Sequence, residues 1–229
     1  MKAVTEQLRR LRIVPVVVIA DPLHASPLAQ ALADGGLPCA EITFRTAGAP
    51  EALRRIAEEH PGVLVGAGTV LTAEQAAVAR KAGARFIVSP GFSPAVVDYC
   101  LAHEVPVYPG VCTPTEIEAA LDTGLEVLKF FPAESMGGVR FLKAIAAPFS
   151  DVEFIPTGGI GLAHLPDYLK MGQVVACGGS WIAPAGWIEA GAFERVREEV
   201  ARALAVVRGQ AAGDVEHETA GDSRAGDSR

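Results

Sequence analysis

Short apolar runs alternate along the chain with longer segments in which apolar residues recur at helical spacing. The apolar runs are five to seven residues long and rich in Val and Ile, and most have Gly or Pro within or beside them. This pattern is typical of fully buried parallel strands. It predicts eight strands, at 14–20, 39–43, 63–68, 85–89, 105–110, 126–131, 153–157 and 174–179.

The segments between the strands predict amphipathic helices, for example PEALRRIAEEH at 50–60 and TPTEIEAALD at 113–122. Several end in Lys or Asp close to a glycine, which is a helix C-terminal signature. Eight strand–helix repeats in one chain predict an α/β protein, a single (β/α)8 TIM barrel. An extra N-terminal helix at 4–12 would close the bottom of the barrel, and 192–207 would form the last outer helix. The alternative is an open doubly wound sheet, but no GxGxxG follows the first strand.

The domain prediction is a barrel over 1–209 and a low-complexity tail over 210–229. The tail is rich in Gly, Ala and charged residues and repeats AGDSR, so we expect it to be disordered. The whole chain of 229 residues has 50% hydrophobic residues, enough for one large core.

Charge and cysteine content narrow the class of protein. A net charge of −7 without a dense basic cluster argues against nucleic acid or an anionic membrane as partner. The four cysteines form no CxxC pair, which indicates reduced thiols and a cytoplasmic protein. The apolar part of RRLRIVPVVVIA is too short for an export signal and contains Pro15.

One lysine stands out in the stretch LEVLKFFPAE. Of the five lysines only Lys129 lies inside an apolar strand, where desolvation of an ammonium is costly. Strand alternation places Lys129 and Phe131 on the inner face, with Leu128 and Phe130 facing the helices. One interpretation is a buried Lys–Glu pair that braces the barrel. The other is a nucleophilic amine that attacks a carbonyl and forms a Schiff base.

Strand 39–43 supplies partners for this lysine. Glu41, Thr43 and Arg45 share one parity, and therefore one face, in AEITFRT. A carboxyl group inside a strand must either pair with a cation or transfer protons. The guanidinium of Arg45 suits a substrate carboxylate, because it forms two parallel hydrogen bonds.

Diglycine turns follow the last two predicted strands, as Thr157-Gly158-Gly159 and Gly178-Gly179-Ser180. Backbone amides at such turns bind anions without a charged side chain, and barrel enzymes often bind phosphate at these two loops. The histidines are scattered and form no HxH or HxxxH. We therefore expect a phosphate site but no catalytic metal and no cofactor.

Taken together, EITFRT, GAGTVLT, IVSPGFSP, PGVCTPTE, LKFFPAE, TGGI and GGSW occur in order on successive strands. This ordered set resembles the 2-keto-3-deoxy-6-phosphogluconate (KDPG) and 4-hydroxy-2-oxoglutarate (KHG) aldolase family. The resemblance covers about 14–207. It implies a metal-independent class I aldehyde-lyase of the Entner–Doudoroff pathway, active on a phosphorylated 2-keto acid, and a homotrimer.

The resemblance also implies roles for individual residues. Lys129 would form the Schiff base and Glu41 would be the general acid/base, working through a water. The substrate-binding residues would be Arg45 and Thr69 for the carboxylate and Pro90 and Phe131 for the pyruvyl group. The phosphate-binding residues would be Gly158, Gly159, Gly179 and Ser180.

Two rival functions remain open at this point. The chain could be another phosphate-binding barrel enzyme, a synthase or epimerase, that uses Lys129 without a Schiff base. It could also be a catalytically silent, self-assembling scaffold, since the AGDSR repeats have no evident use in an enzyme. The pyruvyl end is common to KDPG and to 4-hydroxy-2-oxoglutarate, so the residues around Lys129 do not separate these substrates.

Overall fold

A computed structural model describes residues 2–221, with residues 210–221 described as helical backbone only. Strands β1–β9 are Ile13–Val17, Cys39–Thr43, Leu64–Gly68, Ile87–Val88, Val107–Tyr108, Gly110–Val111, Val127–Phe130, Glu153–Pro156 and Cys177–Gly179. Helices α1–α10 are Lys2–Leu11, Ala25–Asp34, Ala49–Glu59, Ala73–Lys81, Pro94–Ala102, Pro114–Leu121, Gly138–Ala146, Leu165–Leu169, Ala185–Glu189 and Phe193–Gly221.

The strands pair in parallel and form a curled α/β sheet. One group has the order β5-β4-β3-β2-β1-β9 and the other the order β6-β7-β8. Only Pro109 separates β5 from β6 in the chain. On the far side, single parallel bridges join Phe154 to Val174 and Thr157 to Gly178. The carboxyl ends of all the strands therefore lie at one edge of the sheet.

Two layers of buried side chains follow from strand alternation. The larger layer lies between strands and helices and includes Leu128 and Phe130 of β7. The smaller layer lies on the inner side of the curled sheet and includes Cys39 of β2 and Ile155 of β8. Leu8 of α1 belongs to the inner layer, so the N-terminal helix packs against the inner side of the sheet.

The predicted strands are confirmed in position, and they differ from the structure mainly at their ends. The strand predicted at 39–43 has the same bounds in the structure. The strand predicted at 105–110 is interrupted at Pro109, which has no amide hydrogen to donate. The pattern predicts neither the 3-10 turn Pro22–His24 nor the five-residue helix α9. Neither is long enough to show a helical repeat of apolar residues.

The C-terminal helix differs from the prediction, because α10 extends to Gly221 rather than ending at 207. Ala and Glu, which favour helix, recur in this segment. Residues 222–229 of the predicted tail lie outside the described residues. The domain boundary after 209 and the disorder of the tail stay predictions.

Candidate active site

Lys129 and Glu41 meet inside the curled sheet, on strands that are not neighbours. Lys129 lies on β7 in parity with the inward Val127, and Glu41 lies on β2 in parity with Cys39. Their atoms Nζ and Oε1 are 3.7 Å apart, and the side chains are only 6% and 4% exposed. The structure therefore brings together the two residues that the sequence predicts to be catalytic.

The surroundings of this pair are mostly apolar. Glu41 Oε1 accepts no hydrogen bond from the described residues. The Lys129 ammonium lies over the Phe131 ring, 5.1 Å from its centroid, and Val88 and Ile155 line the same small internal space. A buried amine next to a carboxylate without a competing donor is suited to add to a carbonyl and to transfer protons.

Arg45 and Thr69 lie in the loops that follow β2 and β3. Arg45 Nε donates a hydrogen bond to Thr69 Oγ1 at 3.2 Å, and the Arg45 side chain is exposed. Thr69 has a positive φ of 55°, an uncommon conformation for a β-branched residue. Such strain is frequent where a side chain must be aimed at a ligand. The two residues form one polar group at the carboxyl edge of the sheet.

Thr43 has a structural role at the end of β2. The sequence places Thr43 on the face of Glu41 and Arg45, and the structure buries it with its hydroxyl donating to Val17 O at 2.9 Å. This bond ties β2 to β1. It holds the end of β2, the strand that carries Glu41 and leads into the loop with Arg45.

Phe131 connects the lysine with the first diglycine turn. A Cβ on Gly158 would lie 3.2 Å from the Phe131 ring, so ring and turn are in contact. Pro90 follows β4, and its carbonyl faces Gly110, where a Cβ would lie 2.1 Å from the oxygen. Both residues are half-buried. They lie near the strand ends, as expected for walls of a small-molecule site.

The two diglycine turns are neighbours in space, because Thr157 and Gly178 form a parallel bridge. Gly158 and Gly159 have positive φ angles of 106° and 77°, which non-glycine residues rarely adopt. On the second turn Gly179 is buried and Ser180 is exposed. The two turns therefore place backbone amides and the Ser180 hydroxyl in the same region.

Metal and thiol chemistry have no visible support in the described part of the chain. Between residues 2 and 209, no three His, Cys, Asp or Glu side chains are grouped as metal ligands. Burial raises the pKa of the Cys39 and Cys177 thiols, which disfavours reactive thiolates there. Among the described helices, none has both the length and the apolar character of a membrane span.

Comparison with known proteins identifies the family. A sequence model of the KDPG and KHG aldolases matches residues 4–199. The chain belongs to this family. The predicted resemblance is thus confirmed over nearly the whole of the predicted barrel.

Relatives of this KDPG/KHG aldolase chain match it along most of their length. The 2-dehydro-3-deoxy-phosphogluconate aldolase of Treponema pallidum is 50% identical over 207 residues, covering 90% of this chain and 99% of that protein. The KHG/KDPG aldolase of Escherichia coli K12 is 46% identical over 184 residues, covering 80% and 86%. A crystal structure of KDPG aldolase from Legionella pneumophila, with pyruvate captured as a covalent carbinolamine, has a TM-score of 0.83. It is 37% identical, and the match covers 86% of this chain and 96% of that one.

Sequence reasoning about this aldolase chain missed Gly68 in β3. A Cβ at this position would lie 2.0 Å from Glu41 Oε1, so the carboxylate occupies the space that any other side chain would take. The available signal was a glycine inside a strand, which often marks close approach of another group. The clash itself depends on how β2 and β3 pair, which the sequence does not reveal.

Proposed function

We propose that this chain is a class I aldolase that cleaves KDPG to pyruvate and glyceraldehyde 3-phosphate. It would also cleave 4-hydroxy-2-oxoglutarate to pyruvate and glyoxylate. The observation that carries the proposal is the buried pair Lys129–Glu41, with Nζ and Oε1 3.7 Å apart, in a chain of the KDPG/KHG family. In a pair that only braced the sheet, we would expect a hydrogen bond between the partners, yet Glu41 Oε1 is buried, lies 3.7 Å from Nζ and accepts no hydrogen bond from the described residues.

In the proposed reaction the neutral amine of Lys129 adds to the C2 ketone, and loss of water gives an iminium. A base removes the proton of the C4 hydroxyl, the C3–C4 bond breaks, and its electrons pass to the iminium nitrogen. The aldehyde leaves and an enamine of pyruvate remains. Glu41 then delivers a proton to C3, and hydrolysis releases pyruvate and the free amine. The cationic nitrogen is the electron sink, so the reaction needs no metal.

The remaining site residues would bind the two ends of the substrate. Arg45, with Thr69 as its hydrogen-bond partner, would hold the carboxylate, because a guanidinium matches a carboxylate geometrically. Pro90 and Phe131 would enclose the pyruvyl group. The phosphate would lie on the two glycine turns, at Gly158, Gly159, Gly179 and Ser180. Contacts far from the reacting bond then supply positioning energy.

We extend the proposal to the architecture. The two strand groups would close into one eight-stranded (β/α)8 barrel, with β5 and β6 as two parts of a single strand. Chain continuity through Pro109 and the bridges at Phe154 and Thr157 support closure. Helix α1 would close the bottom, consistent with the hydrogen bond between Thr5 Oγ1 and the Tyr108 hydroxyl at 2.9 Å.

The assembly would be a cytoplasmic homotrimer, as the family resemblance implies. Three large apolar side chains are exposed among the described residues: Leu23 in the turn before α2, Leu71 after β3 and Val78 on α4. A contact between copies would cover such side chains, because burial of apolar surface drives association. Light scattering of the purified protein at micromolar concentration should give three times the mass of one chain, and a single-chain mass would contradict the trimer.

The test of the function is pyruvate release measured with a coupled enzyme, for both substrates and with kcat and KM determined separately. Release from KDPG with a higher kcat/KM than from 4-hydroxy-2-oxoglutarate is expected, since only KDPG can use the glycine turns. No release from either substrate would contradict the proposal and would favour the synthase, epimerase or scaffold alternatives. Release with a preference for the unphosphorylated substrate would contradict the phosphate site alone.

A further inference from the structure

The first diglycine turn is attached to the segment that follows β7. Ala133 N donates to Thr157 O at 2.8 Å, and Glu134 N donates to Gly158 O at 3.0 Å. The backbone of Ala133 and Glu134 thus continues the pairing of β7 with β8 beyond the strand ends. The position of the turn depends on where Glu134 lies.

The side chain of Glu134 is fixed from the opposite direction by α8. Its Oε1 accepts a hydrogen bond of 2.6 Å from the hydroxyl of Tyr168, which is fully buried. Burial and this hydrogen bond raise the pKa of Tyr168, so its hydroxyl stays protonated and donates. His164 Nε2 lies 3.8 Å from Glu134 Oε2, while His164 Nδ1 accepts from Gly161 N at 3.2 Å.

Glu134 also packs directly against the turn. A Cβ on Gly159 would lie only 2.7 Å from Glu134 Cβ, so the glycine backbone touches the stem of the glutamate. The Glu134 side chain is 29% exposed, and its carboxylate lies 3.2 Å from the place of a Cβ on Gly138, at the start of α7. Movement of Glu134 would therefore displace Gly158 and Gly159 together.

We propose that Glu134, held by Tyr168, is a positioning residue that sets the preference for phosphorylated substrates by fixing the turn at Gly158–Gly159. This inference rests on the proposed function, because it takes the turn to bind the substrate phosphate. Anion binding by backbone amides requires that several N–H groups converge, so a loosened turn loses phosphate affinity. Lys129 lies within β7 and is held by the strand ladder, so its chemistry continues when the turn loosens.

The experiment uses three test variants, one control variant and both substrates. Tyr168→Phe removes only the hydroxyl, and Glu134→Ala removes the whole carboxylate. Each should raise KM for KDPG about tenfold, a change of about 1.4 kcal/mol. In both variants KM and kcat for 4-hydroxy-2-oxoglutarate should stay within about twofold. Glu134→Gln keeps an oxygen acceptor for Tyr168 and should restore a near-normal KM. Tyr99→Phe is the matched control, because it also removes only a tyrosine hydroxyl. Tyr99 lies on α5, where its ring stacks on His103 with the ring centroids 4.1 Å apart.

Several results would overturn the inference. They are an unchanged KM for KDPG in Glu134→Ala, an equal rise for both substrates, and a Glu134→Gln variant as defective as Glu134→Ala. If Tyr168→Phe fails to fold, the comparison of the two Glu134 variants decides. Failure of the proposed function would look different: the unmodified protein itself would release no pyruvate.

Discussion

Replacement of Gly68 by Ala tests whether the exact place of the Glu41 carboxylate matters for catalysis. The added Cβ would lie 2.0 Å from Oε1 and 2.6 Å from both Cδ and Cγ of Glu41. Real Cβ contacts are essentially never shorter than 3.0 Å, so the two groups must separate by at least 1.0 Å, and by 1.4 Å to reach ordinary contact. Misplacement of a catalytic group by about 1 Å can cost about 100-fold in rate. The overpacking itself should destabilise the protein by about 1–3 kcal/mol.

The assay is the exchange of pyruvate methyl protons for deuterium, followed by proton NMR in heavy water. This half-reaction needs an iminium on Lys129 and a base at Glu41, and it does not involve the phosphate turns. We expect Gly68→Ala to slow the exchange about 100-fold, as a misplacement of this size predicts, while circular dichroism shows a folded protein. Gly62→Ala is the matched control, because a Cβ at Gly62 meets no atom within 4 Å.

A folded Gly68→Ala protein that exchanges at the normal rate would contradict the role assigned to the Glu41 carboxylate. It would mean that Glu41 does not transfer the proton, or that its carboxylate can act from a displaced position. Equal slowing in Gly62→Ala would also contradict a specific effect on Glu41. The loss would then come from general destabilisation of the segment around β3, because Gly62 precedes this strand.

Three further predictions concern substrate binding and the core. Ser180→Ala should raise KM for KDPG about fivefold, the effect expected from loss of one hydrogen bond. An equal rise in KM for 4-hydroxy-2-oxoglutarate would contradict phosphate binding by Ser180. Arg45→Lys should raise KM about tenfold for both substrates, because it removes the planar guanidinium that also donates to Thr69. A rise for KDPG alone would contradict carboxylate binding by Arg45. Phe130→Ala removes a buried ring that stacks on Phe141 with the ring centroids 6.0 Å apart. It should lower the free energy of unfolding, measured in urea, by about 3–5 kcal/mol. A decrease in the free energy of unfolding of less than about 1 kcal/mol would contradict burial of Phe130 between the strands and the helices.

The sequence predicts the pair of Lys129 and Glu41 because each residue violates the apolar pattern of its strand. Burial of an unpaired charge is costly. Two buried residues of opposite charge are therefore expected to pair, even when they lie on non-neighbouring strands. The order of strands then indicates which loops meet. That suffices to place Arg45 near Thr69 and the two diglycine turns side by side.

The contacts that the sequence does not predict depend on side-chain direction across elements. Glu41 pairs in register with Gly66, yet its carboxylate lies over Gly68, because side chains lean along the strand. The hydrogen bond from Tyr168 to Glu134 depends on the position of the five-residue helix α8. This helix is too short to show a helical repeat of apolar residues in the sequence. The pattern therefore indicates which residues face inward, but not how they fit together.

Borohydride reduction in the presence of pyruvate, followed by peptide mass spectrometry, shows directly whether Lys129 is the nucleophile. We expect a reduced pyruvyl group on Lys129 and no such mass on the other four lysines. We also expect Lys129→Met to abolish both the adduct and pyruvate release. An unmodified Lys129 in an active enzyme, or a Lys129→Met variant with full turnover, would contradict this role of Lys129.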